Sequence, residues 1–169
     1  MLWKRFFIVQ YYTYPTSGTF TVTKNTSGGT LSCETDNSAV ATCSISGTTV
    51  TVTPGTTEGS ATLTITSAAT TNYNAGQAAY VAITAKGTLN SYTATGYSGT
   101  YDGASHGITV TSSGATIKYG TSSGSYTLDS SPTYTDAGTY TVYYQITRAG
   151  YTTVKGSKTV VINKANNTL

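Results

Sequence analysis

Charge is what this sequence has least of. Only 9% of its 169 residues are Asp, Glu, Lys or Arg, against roughly a quarter in an ordinary globular protein. The net charge of +3 is scattered, with Lys4–Arg5 the one adjacent basic pair. No stripe of cations is available to track phosphates, so nucleic acid is not an expected partner. Long apolar runs are missing too: none approaches the ~20 residues that a membrane-spanning helix needs, and no membrane insertion is expected.

Metal-binding residues are equally few. With one histidine and two cysteines, a four-ligand zinc site within the chain is not expected. Calcium takes several oxygens, commonly from Asp-rich spacings, and no such run occurs. An aspartate joined by backbone carbonyls at a domain junction is the one calcium arrangement left open. No metal and no cofactor are expected.

The same scarcity bears on catalysis. His106 would have to be the base of any Ser–His–Asp triad, yet it stands in the turn sequence Tyr101-Asp102-Gly103-Ala104-Ser105-His106-Gly107. A nucleophile elbow needs a helix after the serine, and nothing helical follows any serine here. The carboxylates are Glu34, Asp36, Glu58, Asp102, Asp129 and Asp136. A glycosidase needs two of them facing across a cleft, and small sheet modules offer little cleft. Lys24 and Asn25, being adjacent, point to opposite faces of a strand, which argues against an isopeptide bond. A non-enzymatic protein is expected.

What fills the sequence is threonine, serine, glycine and fifteen tyrosines. Thr, Val, Ile and Tyr suit a pleated, half-buried surface, and their abundance argues against disorder. No window places apolar residues at helical spacing, so the chain is read as all-β. Val50 and Val52 alternate with threonines up to Pro54-Gly55; Ala61, Leu63 and Ile65 alternate with Thr62, Thr64 and Thr66. Each pattern predicts a strand with its apolar side inward and its hydroxyls outward. Ile108/Val110, Ile117/Tyr119, Tyr140/Val142/Tyr144 and Val160/Ile162 predict further strands. Asp102-Gly103, Ser123-Gly124 and Ala149-Gly150 supply turns, since glycine accepts positive φ.

The chain repeats itself. Gly59-Ser60-Ala61-Thr62-Leu63-Thr64-Ile65 aligns with Gly138-Thr139-Tyr140-Thr141-Val142-Tyr143-Tyr144, and Asn72-Tyr73-Asn74 with Gly150-Tyr151-Thr152. The period, roughly eighty residues, is about that of one small sandwich module. Three segments are predicted: residues 1–18, a first module over 19–86 and a second over 87–169.

The first module resembles group-2 bacterial immunoglobulin-like repeats. The resemblance is carried by Gly29-Thr30-Leu31-Ser32-Cys33, Asn37-Ser38-Ala39-Val40-Ala41-Thr42, Ser46-Gly47-Thr48-Thr49-Val50-Thr51-Val52 and Gly59-Ser60-Ala61-Thr62-Leu63-Thr64-Ile65. Cys33 departs from the family, which often has a large apolar residue there. The second module is similar to related repeats of bacterial surface and phage virion proteins, through Gly99 to Gly107 and Tyr134 to Val142. The resemblance implies two tandem immunoglobulin-like β-sandwich domains that serve as spacers, decoration or adhesive modules; fold alone does not say which. Asp136, Gly138 and Tyr140 have the form of a tyrosine corner, a structural role in which the Tyr hydroxyl bonds to upstream backbone. Cys33 and Cys43, on strands joined by Asp36-Asn37-Ser38, are either cross-strand disulfide partners or two thiols packed as small apolar residues.

The N-terminal segment falls outside this resemblance. Lys4-Arg5 followed by Phe6 to Val9 imitates a secretion signal, but the apolar patch is short and no small-residue cleavage site follows. Both faces of a strand there would be apolar or aromatic, whereas a strand wet on one side alternates more cleanly. Trp3, Phe6, Phe7, Ile8, Val9, Tyr11 and Tyr12 are therefore read either as an assembly interface or as the first strand of the first module, with its aromatics against a loop. The expected role is a structural component of a bacteriophage virion, a capsid decoration or fibre protein at the virion surface. Its partners would be other subunits of the particle, with host-surface glycans or proteins beyond them. The alternative is a fragment of a bacterial cell-surface adhesin. A third reading makes the modules accessories of a catalytic domain outside this chain.

Overall fold

A computed structural model describes residues 8–167. Every regular element among them is a β-strand, and the protein is all-β. The strands are β1 Ile8–Thr13, β2 Gly18–Thr21, β3 Leu31–Thr35, β4 Ala41–Ser46, β5 Thr49–Pro54, β6 Gly59–Ser67, β7 Gly76–Ala85, β8 Thr93–Thr95, β9 Tyr97–Thr100, β10 Thr109–Thr111, β11 Thr116–Gly120, β12 Gly138–Thr147 and β13 Val154–Asn163. They divide into two compact units. Unit 1 runs to Gly87 and includes Ala149–Tyr151; unit 2 holds Thr88–Arg148 and the residues from Thr152 on.

Unit 1 has a four-stranded sheet in the order β1-β7-β6-β3 and a three-stranded sheet in the order β2-β5-β4. Only β1 runs parallel to its neighbour, β7; the other pairs are antiparallel. The period-2 alternation of β5 and β6 decides which side is core. Val50, Val52, Ala61, Leu63 and Ile65 are at most 3% exposed, and they meet Val40, Ala41 and Ala82 in one apolar cluster. Burial of a side chain such as Leu63 stabilises the unit by about 1.5–3 kcal/mol. The β4–β5 hairpin turns at Gly47, whose φ of 59° suits a two-residue loop with glycine first.

Cys33 and Cys43 form a disulfide with a Cα–Cα distance of 6.0 Å. They are not neighbours within one sheet. β3 pairs with β6 while β4 pairs with β5, because residues 36–40 carry the chain from one sheet to the other. The bond therefore spans the two sheets.

Unit 2 repeats the larger sheet in the order β11-β12-β13-β9, again with its one parallel pair at the edge, β9 against β13. The sequence repeat acquires a physical meaning here. Gly59–Ile65 lies in β6 and Gly138–Tyr144 in β12, each the first arm of a long hairpin flanked by one parallel and one antiparallel strand. The second sheet of unit 2 holds only β10 and β8. Residues 121–137 contribute isolated bridges, Ser122 to Ser125, Tyr119 to Leu128 and His106 to Tyr134, in place of further strands. The core of unit 2 is Leu89, Ile108, Val110, Val142, Ile146, Val160 and Ile162 with the buried rings of Tyr119 and Tyr144.

Rings do much of the covering where strands are few. Tyr97, Val160 and Tyr140 stand in one register row across β9, β13 and β12. Val160 is fully buried, so this row faces the interior. Tyr97 stacks on His106 with centroids 3.8 Å apart, and Tyr140 stacks on Tyr134 at 4.0 Å.

Candidate functional site

Of the residues assigned above to an assembly interface, Trp3, Phe6 and Phe7 lie outside the described residues. The others lie on β1. This strand belongs to the sheet of unit 1, so the structured unit begins before residue 19. Its register against β7 separates the two faces. Ile8, Gln10 and Tyr12 align with Tyr80, Ala82 and Thr84, of which Ala82 and Thr84 are buried inward. Tyr12 packs against the core, bonds the side chain of Gln10, and has its phenol pKa pushed up by burial.

Val9 and Tyr11 align with Val81 and Ile83 on the opposite face. Val9 is 45% and Tyr11 78% exposed, and Val81 and Ile83 are half-buried. Together they make an apolar outward stripe where a solvated sheet face would carry threonines. Among the described residues β1 is paired on one side only.

A second feature of unit 1 went unforeseen from the sequence. Antiparallel pairing of Leu31 with Ser67 brings the β2–β3 loop beside the β6–β7 turn, and a groove of about 530 Å³ opens between them. Val22, Leu31 and Ile65 line its floor and are continuous with the core. Its rim carries Lys24, Tyr73, Asn74 and Gln77, all exposed.

The loop is held by its own hydrogen bonds. Asn25 Nδ2 donates to the Gly29 carbonyl at 2.8 Å, while Asn25 Oδ1 accepts from Ser27 Oγ at 3.1 Å and from Ser67 Oγ at 2.9 Å. The Ala68 amide donates to the Thr30 carbonyl at 2.9 Å. Gly29 permits that approach, since a Cβ there would lie 2.1 Å from the Ala68 carbonyl oxygen. No short motif announces the groove; residues forty positions apart build it. The only local signals were Tyr73 between two asparagines and the turn-forming Asn25.

In unit 2, Tyr140 Oη donates to the Asp136 carbonyl at 3.2 Å. Gly138 lies against the same ring, where a Cβ would come within 3.0 Å of it. His106 Nε2 is 2.9 Å from Asp102 Oδ1, and the stack on Tyr97 uses one face of its ring. The hydrogen bond from His106, then the Ala104 amide, holds the Asp102 carboxyl below the usual carboxylate range. Lys118 pairs with Asp129. Among the described residues no three His, Cys, Asp or Glu side chains converge to hold a metal ion, and no helix is long and apolar enough to cross a membrane.

No protein-family model matches this sequence, and no curated protein matches it. Solved structures are similar at low identity. An endo-fucoidan hydrolase of glycoside hydrolase family 107 aligns over 95% of this chain and 28% of its own length, with 9% identity and a TM-score of 0.41. The titin domains Z1Z2 in complex with telethonin align over 95% of this chain and 93% of theirs, at 12% identity and a TM-score of 0.34. Chicken VE-cadherin EC1-2 aligns over 98% and 100%, at 14% identity and a TM-score of 0.31.

Proposed function

We propose that this chain is a non-enzymatic structural protein of two tandem immunoglobulin-like modules, a component of a bacteriophage particle that docks through the outward face of β1 and β7. Strand order supports the modular part of the reading. The orders β2-β5-β4 and β7-β6-β3 match the B-E-D and G-F-C orders of such sandwiches, with β1 set beside the last strand. Unit 2 keeps the second of these sheets and splits its first strand into β8 and β9.

The observation that carries the docking part is the stripe of Val9, Tyr11, Val81 and Ile83. Apolar side chains aligned on an edge strand invite a partner unless something covers them. The Cys33–Cys43 bond supports use outside a reducing cytosol. The sequence resemblance, which reaches both phage virion and bacterial surface repeats, supplies the setting and keeps an adhesin as the alternative.

Quantitative mass spectrometry of particles separated from cell envelopes tests the setting. Recovery in fixed ratio to capsid proteins is the expected result. Recovery only with envelopes, inside a longer polypeptide, would replace the particle with an adhesin.

A further inference from the structure

We infer that the groove between the β2–β3 loop and the β6–β7 turn of unit 1 binds a saccharide that carries a carboxylate. The inference rests on the chain being an interaction protein, and it adds a ligand site separate from the β1 stripe. Three properties of the groove carry it.

The first is shape held in advance. The Asn25, Ser27 and Ser67 hydrogen bonds close the loop on itself, so little ordering entropy is left to oppose a ligand. The second is chemical mixture. Val22, Leu31 and Ile65 make an apolar floor, while Tyr73, 51% exposed, offers a ring to the C–H face of a sugar. Asn74 offers an amide that donates and accepts, as hydroxyl groups require.

The third property is charge. Lys24 is the one cation in the lining, and no carboxylate lines the groove beside it. No ion pair involves Lys24 among the described residues. An ammonium with three donors beside an apolar floor is complementary to a carboxylate held on a sugar ring. An extended peptide is favoured less, because a short groove with one exposed aromatic ring offers no run of alternating side-chain pockets.

The test is an amide NMR titration of the full chain with sialyllactose and, in parallel, with lactose. Sialyllactose is expected to move resonances of residues 22–31 and 65–78 with millimolar affinity, and lactose to bind about tenfold or more weakly. Tyr73→Ala should abolish the response and Lys24→Met should weaken it about tenfold or more; both side chains are exposed, and an unchanged spectrum elsewhere verifies folding. A hyaluronan tetrasaccharide, which carries glucuronate, is the second acidic probe. No shifts from either acidic probe would overturn the inference. So would equal binding of lactose, or a Lys24→Met response equal to wild type. A short extended peptide that shifts the same residues where sugars do not would replace the saccharide with a peptide. Failure here leaves the particle reading intact, because that reading is scored by recovery with capsid proteins.

Discussion

At the scale of single residues, Thr84 shows how unit 1 tolerates a hydroxyl in its interior. It is 2% exposed on β7, and its Oγ1 donates to the Val40 carbonyl at 2.8 Å. The same carbonyl accepts the Gly55 amide at 2.7 Å, so one oxygen joins the sheet to two turns. Thr84→Val keeps the shape and removes one of the two donors. The expected loss is about 1 kcal/mol, the net worth of such a bond when its acceptor keeps another partner, measured by urea unfolding. Asp102 gives a residue-scale test of pH. Its pKa lies below the ordinary value of 3.8 because of His106 and the Ala104 amide. Its contribution to stability is therefore fully present above that ordinary value and is lost as pH falls through the lower, folded one. A carboxyl NMR titration should place the Asp102 midpoint below that of an aspartate in a blocked peptide. His106→Ala should move it back up; an unmoved midpoint would mean that the Ala104 amide alone sets it.

At the scale of elements, legibility followed how much of a strand's environment its own residues declare. β5 and β6 were readable because one face is core and the other water, so Val50/Val52 and Leu63/Ile65 alternate with Thr; in β12 and β13 the inward Val142/Tyr144 and Val160/Ile162 are spaced two apart, although Tyr143 and Val161 stand between them. β8 and β9, three and four residues long, are set by pairing with β10 and β13 and show no period of their own. β1 was ambiguous for a physical reason: its outward residues are apolar too. The groove was invisible because it depends on which loops the β3–β6 pairing brings together. Cys33 and Cys43 were placed on adjacent strands, but adjacency in sequence became opposition across two sheets. The bond closes a loop with a sequence separation of 10. Replacing both cysteines by alanine should cost unit 1 about 2.5 kcal/mol, mostly through the freedom returned to the unfolded chain. Denaturant unfolding monitored separately for each unit should show the loss in unit 1; an equal loss in unit 2 would contradict this account.

At the scale of the whole molecule, the chain builds the same four-stranded sheet twice and finishes the two copies differently. Unit 1 backs it with a second three-stranded sheet and a disulfide. Unit 2 backs it with two short strands, turns and stacked rings. The features that we connect with function, the outward stripe of β1 and β7 and the groove, both belong to unit 1. On the larger sheet of unit 2, Val161 stands outward between Thr139 and Ser98, and the edge strand β9 turns Ser98 and Thr100 outward where β1 carries Val9 and Tyr11. The central claim is that the chain assembles through Val9 and Tyr11. Its most direct test compares wild type with the double variant Val9→Asp, Tyr11→Asp by quantitative mass spectrometry of purified particles. Both chains should give the same circular dichroism, because the two side chains face solvent. The account predicts wild type in fixed ratio to capsid proteins and the variant left in the soluble fraction. Equal incorporation of the variant, or wild type absent from particles, would contradict it.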